Sequence, residues 1–181
     1  MKHLLFTLLI LTIPLFGSVK QQMLQHYKQK EYLQVCKVGY KNFHKYSKDE
    51  NFISLYAFGC LYADYIDRLA VPTVALRFTK EGRSNAAYFS VILMQKKLLY
   101  HAMLDGVTLS EMKLPTTNYI LSKVFDYYTK AQKQGRESYI FTDEEDPKKQ
   151  YKLYLERTKK APKIVIEEYL DGLLQKRHIY W

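Results

Sequence analysis

The stretch FGCLYADY, residues 58–65, sets Cys60 in an apolar and aromatic run that ends on Asp64, and the chain holds one other cysteine, Cys36. Two cysteines can carry out thiol redox chemistry, close a structural disulfide, or fill a core as small apolar residues. Redox chemistry is set aside because no Cys-x-x-Cys spacing occurs. A second cluster, Asp64, Asp67, Arg68, Arg77, Arg83 and Asn85, lies around a bend expected near Pro72. Asp64 and Arg68 have the i,i+4 spacing of a helical ion pair. Asp64, Arg77, Arg83 and Asn85 either line a polar pocket or form a network that fixes the bend. His26, His44, His101 and His178 fall on separate segments without metal-ligand spacing, and they read as solvated or capping side chains. TDEEDP, residues 142–147, lacks the alternating ligands and glycine of a calcium loop and reads as a solvated turn. No Ser or Cys nucleophile is arranged with a His in a hydrolase signature. The expectation is no catalytic residue, no metal and no cofactor.

The elements that must position these residues follow from hydrophobic period. Met1-Lys2-His3 precedes a 13-residue apolar run, Leu4 to Phe16, and Gly17-Ser18 supplies small residues for cleavage. That pattern predicts a signal peptide over residues 1–18, with an uncleaved anchor as the alternative, because a spanning helix needs about 20 apolar residues. From Val19 to Gly135 the period is helical, with helices expected near 20–29, 31–45, 50–67, 72–80, 84–105 and 117–134. Asp49, Ser84-Asn85 and Thr116-Thr117 are candidate caps, and Pro72 suits a first turn. After Gly135 the period becomes two. Strands are expected over 138–143, 151–156, 163–170 and 173–181, the last two joined by Asp171-Gly172, a strong hairpin signal. The fold class is α+β: a helical domain over 19–135, then a four-stranded antiparallel β-meander over 136–181. In the last strand, Ile179 and Trp181 are expected to point inward and Leu174 outward. Leu174 and Ile179 differ in parity, so they can share a face only across a bulge.

Composition narrows the partners. The chain carries a formal charge of +10, or +9 once Lys2 leaves with the leader, and its 48% apolar content excludes wholesale disorder. In an exported protein such a balance points to acidic protein, anionic cell-wall glycan or lipid headgroups, and away from nucleic acid. Seventeen tyrosines are more than a core of this size requires. Aromatic and basic residues interleave over 37–48 and 126–136, so Tyr40, Lys41, His44, Tyr127, Tyr128 and Lys130 are the expected partner surface.

QHYKQKEYLQVCKVGYKNF (25–43) resembles the junction between the two helices of a tetratricopeptide repeat, and SLYAFGCLYADY (54–65) resembles the first helix of a tetratricopeptide or Sel1-like repeat. The resemblance covers residues of the stretch 20–105 only. Lys30 stands where Gly or Asn is common and Val35 where Ala is common, and no fixed period extends through Leu104. It implies helix pairs stacked into a protein-binding surface. In such pairs the second and third helices are neighbours, which favours a Cys36–Cys60 bridge in an oxidising compartment over two buried thiols. The functional expectation is an exported, periplasmic, non-enzymatic scaffold that binds another envelope protein, without a transmembrane segment once the signal is cleaved. The alternative is an envelope glycan-binding protein or enzyme with a polar site at the helix/sheet junction.

Overall fold

The computed structural model describes residues 17–110, 112–131 and 137–180. The expected leader up to Phe16, the stop at Gly135 and the inward Trp181 lie outside the described residues. Six α-helices come first: α1 (Val19–Lys28), α2 (Tyr32–Asn42), α3 (Glu50–Tyr62), α4 (Ala70–Ala75), α5 (Lys80–Asp105) and α6 (Ile120–Lys130). Four strands follow: β1 (Ser138–Thr142), β2 (Lys149–Glu156), β3 (Lys163–Leu170) and β4 (Leu173–Tyr180). The chain is α+β, with the helices in the N-terminal part and one antiparallel sheet of order β1-β2-β3-β4 at the C-terminus. No described helix is long and apolar enough to cross a membrane.

Side chains that offer the backbone a partner fix the helix ends. Ser18 and Gln21 form a reciprocal capping box at α1. Asp49 caps α3 by accepting from the Phe52 amide at 3.1 Å. The helix expected over 50–67 stops at Tyr62 because Asp64 turns the chain in the left-handed region, φ 65°. A short 3-10 turn, Ile66–Leu69, then leads into α4. The fifth helix begins four residues before the expected 84, because Thr79 Oγ1 accepts from the Gly82 amide and Ser84-Asn85 fall inside the helix. Its sequel α6 starts at Ile120 without a side-chain cap. Thr117 is still used locally, its Oγ1 accepting from the Tyr119 amide at 3.3 Å.

Helices α2 and α3 pack in very close contact. A Cβ on Gly59 would lie 2.6 Å from Val35 Cβ, so only glycine admits this approach. The same contact brings Cys36 and Cys60 to a Cα separation of 4.6 Å, and they form a disulfide. Of the two open readings of these cysteines, the bridge is the observed one.

The inner sheet face is Tyr139, Tyr151, Leu153, Ile164, Ile166, His178 and Tyr180, all buried. Most of them join one cluster with helical residues such as Phe52, Phe89, Leu121 and Phe125. The register pairs Ile166 with His178 and Ile164 with Tyr180, so even-numbered residues at the end of β4 face the helices. This corrects the expected facing. Ile179 pairs Val165 on the opposite face and is half-buried, while His178 and Tyr180 take the inward positions. A register shift at Glu168/Tyr169 pairs Leu174 with Tyr169, which places Leu174 on the same outer face as Ile179. The parity argument therefore holds through the bulge it required.

Candidate functional site

Two polar assemblies stand out, one at the helix/sheet junction and one on the helical face. At the junction, the left-handed turn at Asp64 points its carboxylate toward the sheet. Tyr119 Oη lies 2.8 Å from Asp64 Oδ1 and 3.2 Å from Tyr180 Oη. His178 Nδ1 is 2.8 Å from Asp64 Oδ1, and its Nε2 is 2.7 Å from Glu168 Oε1. An imidazole with a carboxylate at each nitrogen donates to both only as the cation. Burial pulls the His178 pKa down, but the Asp64 and Glu168 hydrogen bonds outweigh it and hold it above the ordinary histidine value. The bond from His178 in turn lowers Glu168. Burial, with the nearby Asp64 carboxylate, pushes the Tyr119 phenol well above its usual range.

Asp143 anchors the second corner of the junction. It is buried, accepts from Lys123 at 2.5 Å and Tyr151 at 2.6 Å, and also accepts from the backbone amides of Glu145 and Asp146. Burial opposes ionisation, yet those donors hold its carboxyl well below the usual range. TDEEDP is thus a turn organised by a buried aspartate, not a solvated one. Likewise His178 is neither solvated nor a cap. Its role depends on the β3–β4 register, and the only signal in the sequence was the alternation His178, Tyr180 beside the DG turn.

On the helical face, Glu50 does the positioning. Its Oε1 accepts from the Arg77 and Phe78 amides at 2.6 and 2.7 Å, and its Oε2 accepts from the Thr79 amide at 2.8 Å and from the Thr79 hydroxyl. Those bonds, led by the Thr79 hydroxyl and the Phe78 amide, hold the Glu50 carboxyl down to about 2. Gly82 makes room for this carboxylate, since a Cβ there would lie 2.8 Å from Glu50 Cδ. From the other side, Arg83 Nη1 donates to the Phe78 carbonyl at 2.8 Å. A loop tied at three successive amides is rigid, yet it presents Phe78 at 68% exposure. Val71 and Val74, one turn apart on α4, are 56% and 77% exposed. Three large apolar side chains in eight residues are left unburied, one of them, Phe78, on the loop that Glu50 ties down.

Next to them Arg68 stacks on Tyr40, its guanidinium carbon 4.5 Å from the ring centroid, and on Tyr65 at 5.3 Å. Neither Arg68 nor Asp64 uses the i,i+4 spacing, since Asp64 turns to His178 instead. The four residues proposed as a pocket are divided. Arg77 and Arg83 meet at the Glu50 loop, where Arg83 donates to the Arg77 carbonyl at 3.2 Å. Asn85 donates to Ser54 Oγ at 3.0 Å, and Asp64 belongs to the junction. Of the expected partner surface, Tyr40, Lys41 and His44 are exposed on and just beyond α2. Tyr127 and Tyr128 are buried, and this corrects their placement on a contact surface. The strong amphipathicity of α6 turns both rings into the core, where Tyr127 stacks on Tyr151 and Tyr128 meets Tyr139 edge-on. Lys130 is exposed but paired with Asp126 at 2.7 Å.

A cleft of about 690 Å³ opens between the end of α5, α6 and β1–β2, lined among others by Tyr128, Tyr139, Tyr154, Lys152 and Arg157. It is lined by none of the junction carboxylates Asp64, Asp143 and Glu168. Among the described residues no group of three His, Cys, Asp or Glu side chains is placed to hold a metal. Comparison with protein-family models, with curated proteins and with solved structures returns no match to this chain.

Proposed function

We propose that the protein is an exported, non-enzymatic scaffold whose helical face binds another envelope protein. One observation carries this reading: Phe78 is exposed on a loop that Glu50 and Arg83 tie down, and Val71 and Val74 are exposed on the helix that leads into it. Burying such side chains would stabilise the fold by about 2 kcal/mol each, so leaving them in water is a standing cost that a bound partner removes. Because the loop is already fixed, docking loses little further entropy there. The binding reading is favoured over a site at the junction because His178 and Asp143 are buried there and none of Asp64, Asp143 and Glu168 lines the cleft. Export is supported by the leader-like start and by a disulfide, which persists in oxidising compartments.

Site-specific photocrosslinking in the native envelope tests the reading. A benzophenone side chain at position 74 should give a discrete protein adduct that disappears when Phe78→Asp is added, whereas one at Ile140, on the outer sheet face, should not. Equal adducts from both positions would remove the scaffold assignment.

A further inference from the structure

Among the described residues no carboxylate is within ion-pair distance of the Arg68 guanidinium, whereas Asp64 and Asp67 nearby are both engaged with other groups. Its Nη1–H donates to Cys36 Sγ at 3.8 Å, a weak acceptor that belongs to the disulfide. The carboxylates nearest in sequence are spent elsewhere. Asp67 is bonded to Lys96 at 2.8 Å and Lys97 at 2.6 Å, and Asp64 is bonded to His178 and Tyr119. Two tyrosine rings lie against the guanidinium, 4.5 and 5.3 Å from its central carbon, and so restrict the side chain before any ligand arrives. The surroundings add positive potential. Lys37 lies one turn before Tyr40 on α2, Lys41 and His44 follow it, and all three are exposed.

A planar guanidinium restricted by stacking, with no described carboxylate at ion-pair distance, matches one chemistry best, a carboxylate that takes two parallel N–H bonds. The exposed Val71 begins three residues after Arg68, so a carboxylate held there would lie beside apolar side chains seated on the α4 ridge. We propose that Arg68, between Tyr40 and Tyr65, is the receptor for a Glu or Asp side chain of an acidic peptide segment in the partner, an inference that rests on the scaffold reading above. Charge complementarity selects this occupant. A second copy of this chain, at +10, would bring mostly cations to the same face.

The test uses a fluorescein-labelled peptide of alternating Glu and Leu, its Gln-for-Glu isostere, and inorganic phosphate as competitor, with fluorescence anisotropy as readout. The Glu peptide should bind the wild-type protein at least tenfold more tightly than the Gln isostere. Arg68→Lys keeps the net charge but loses the planar fork, and it should weaken binding about tenfold. Lys148→Gln, in the β1–β2 turn, removes a charge and should change little. Tyr40→Leu, at a position 62% exposed, provides a second variant that spares the core and should weaken binding in the same direction. Melting curves confirm that each variant is folded. Failure of the wild type to bind the Glu peptide at low salt would overturn the proposal, as would unchanged binding by Arg68→Lys beside a loss for Lys148→Gln, which would mean diffuse attraction that follows net charge. Phosphate competing as well as the peptide would replace the carboxylate by a phosphoryl ligand. If Phe78→Asp removes the envelope adduct while Arg68→Lys leaves it intact, the ridge docks a protein and only the carboxylate receptor fails. If neither change affects the adduct, both readings fail together.

Discussion

The helix/sheet junction and the α4–α5 face use the same residue types, cations, carboxylates and tyrosines, and bring them to opposite ends. At the junction His178 has a carboxylate on each nitrogen, Asp143 has four donors, and Tyr119 meets both Asp64 and Tyr180. On the face, Glu50 is as fully bonded as Asp143, but what it holds in place, Phe78, is left in water, as is the neighbouring Val74. Arg68 likewise lies against two rings, and among the described residues its side-chain hydrogen bond goes to a sulfur, Cys36 Sγ. Complete satisfaction marks groups whose work is to join the two halves of the fold. Rigid support beneath exposed apolar and cationic groups is the feature on which the proposed partner site rests.

That contrast can be broken from the junction side first. Tyr180→Ala removes a fully buried ring and should lower stability by about 3–5 kcal/mol in chemical denaturation, with Tyr180→Phe costing about 1 kcal/mol for its hydroxyl. Replacing both Cys36 and Cys60 by Ser opens a bridge of sequence separation 24, and it should cost about 3.5 kcal/mol on the chain-entropy argument while leaving partner binding intact. A pH series gives a smaller effect whose sign is fixed. The His178 pKa is raised above 6.5 in the folded state, so its stabilisation is fully present below about 6.5 and is lost as pH rises through the folded value. Glu168 is lowered from 4.5, so its contribution is present above 4.5 and is lost as pH falls through the folded value. The denaturation midpoint should therefore peak between 4.5 and 6.5 as far as this pair governs it, and His178→Gln should flatten the alkaline limb. The smallest stability effect belongs to the face. Phe78→Ala should change stability by about 0.5 kcal/mol or less while weakening partner binding, because its ring is mostly in water.

Some of this was legible before any coordinates. Period alone separates helices from strands, and the DG turn fixes the β3–β4 hairpin, with Asp171 at φ 49° and Gly172 at φ 76°. Asp49 announces itself as a cap because capping is local. The site residues were harder, since they depend on contacts distant in sequence. Glu50 looks like any first-turn glutamate until the chain returns at Arg77 to Thr79 and spends its carboxylate on three amides. His178 meets Asp64 across 114 residues, and no spacing rule reaches that far. The interleaving of aromatic and basic residues had the same appearance around Tyr40 and around Tyr127. Only packing distinguishes them, because the apolar stripe of α6 carries Tyr127 and Tyr128 inward while Tyr40 lies on the outer side of α2. Arg68 was noticed for an ion pair with Asp64 that the left-handed turn forbids.

The central claim is that exposed apolar and cationic groups beside a rigid loop locate the partner, and hydrogen exchange tests it most directly. Exchange is compared for the protein alone and crosslinked to its envelope partner through position 74. Added protection should be confined to residues 65–80 and the exposed side of α2 near Tyr40, with the amides around His178 and Asp143 unchanged. New protection at the junction or along β4, with 65–80 exchanging as before, would contradict the account.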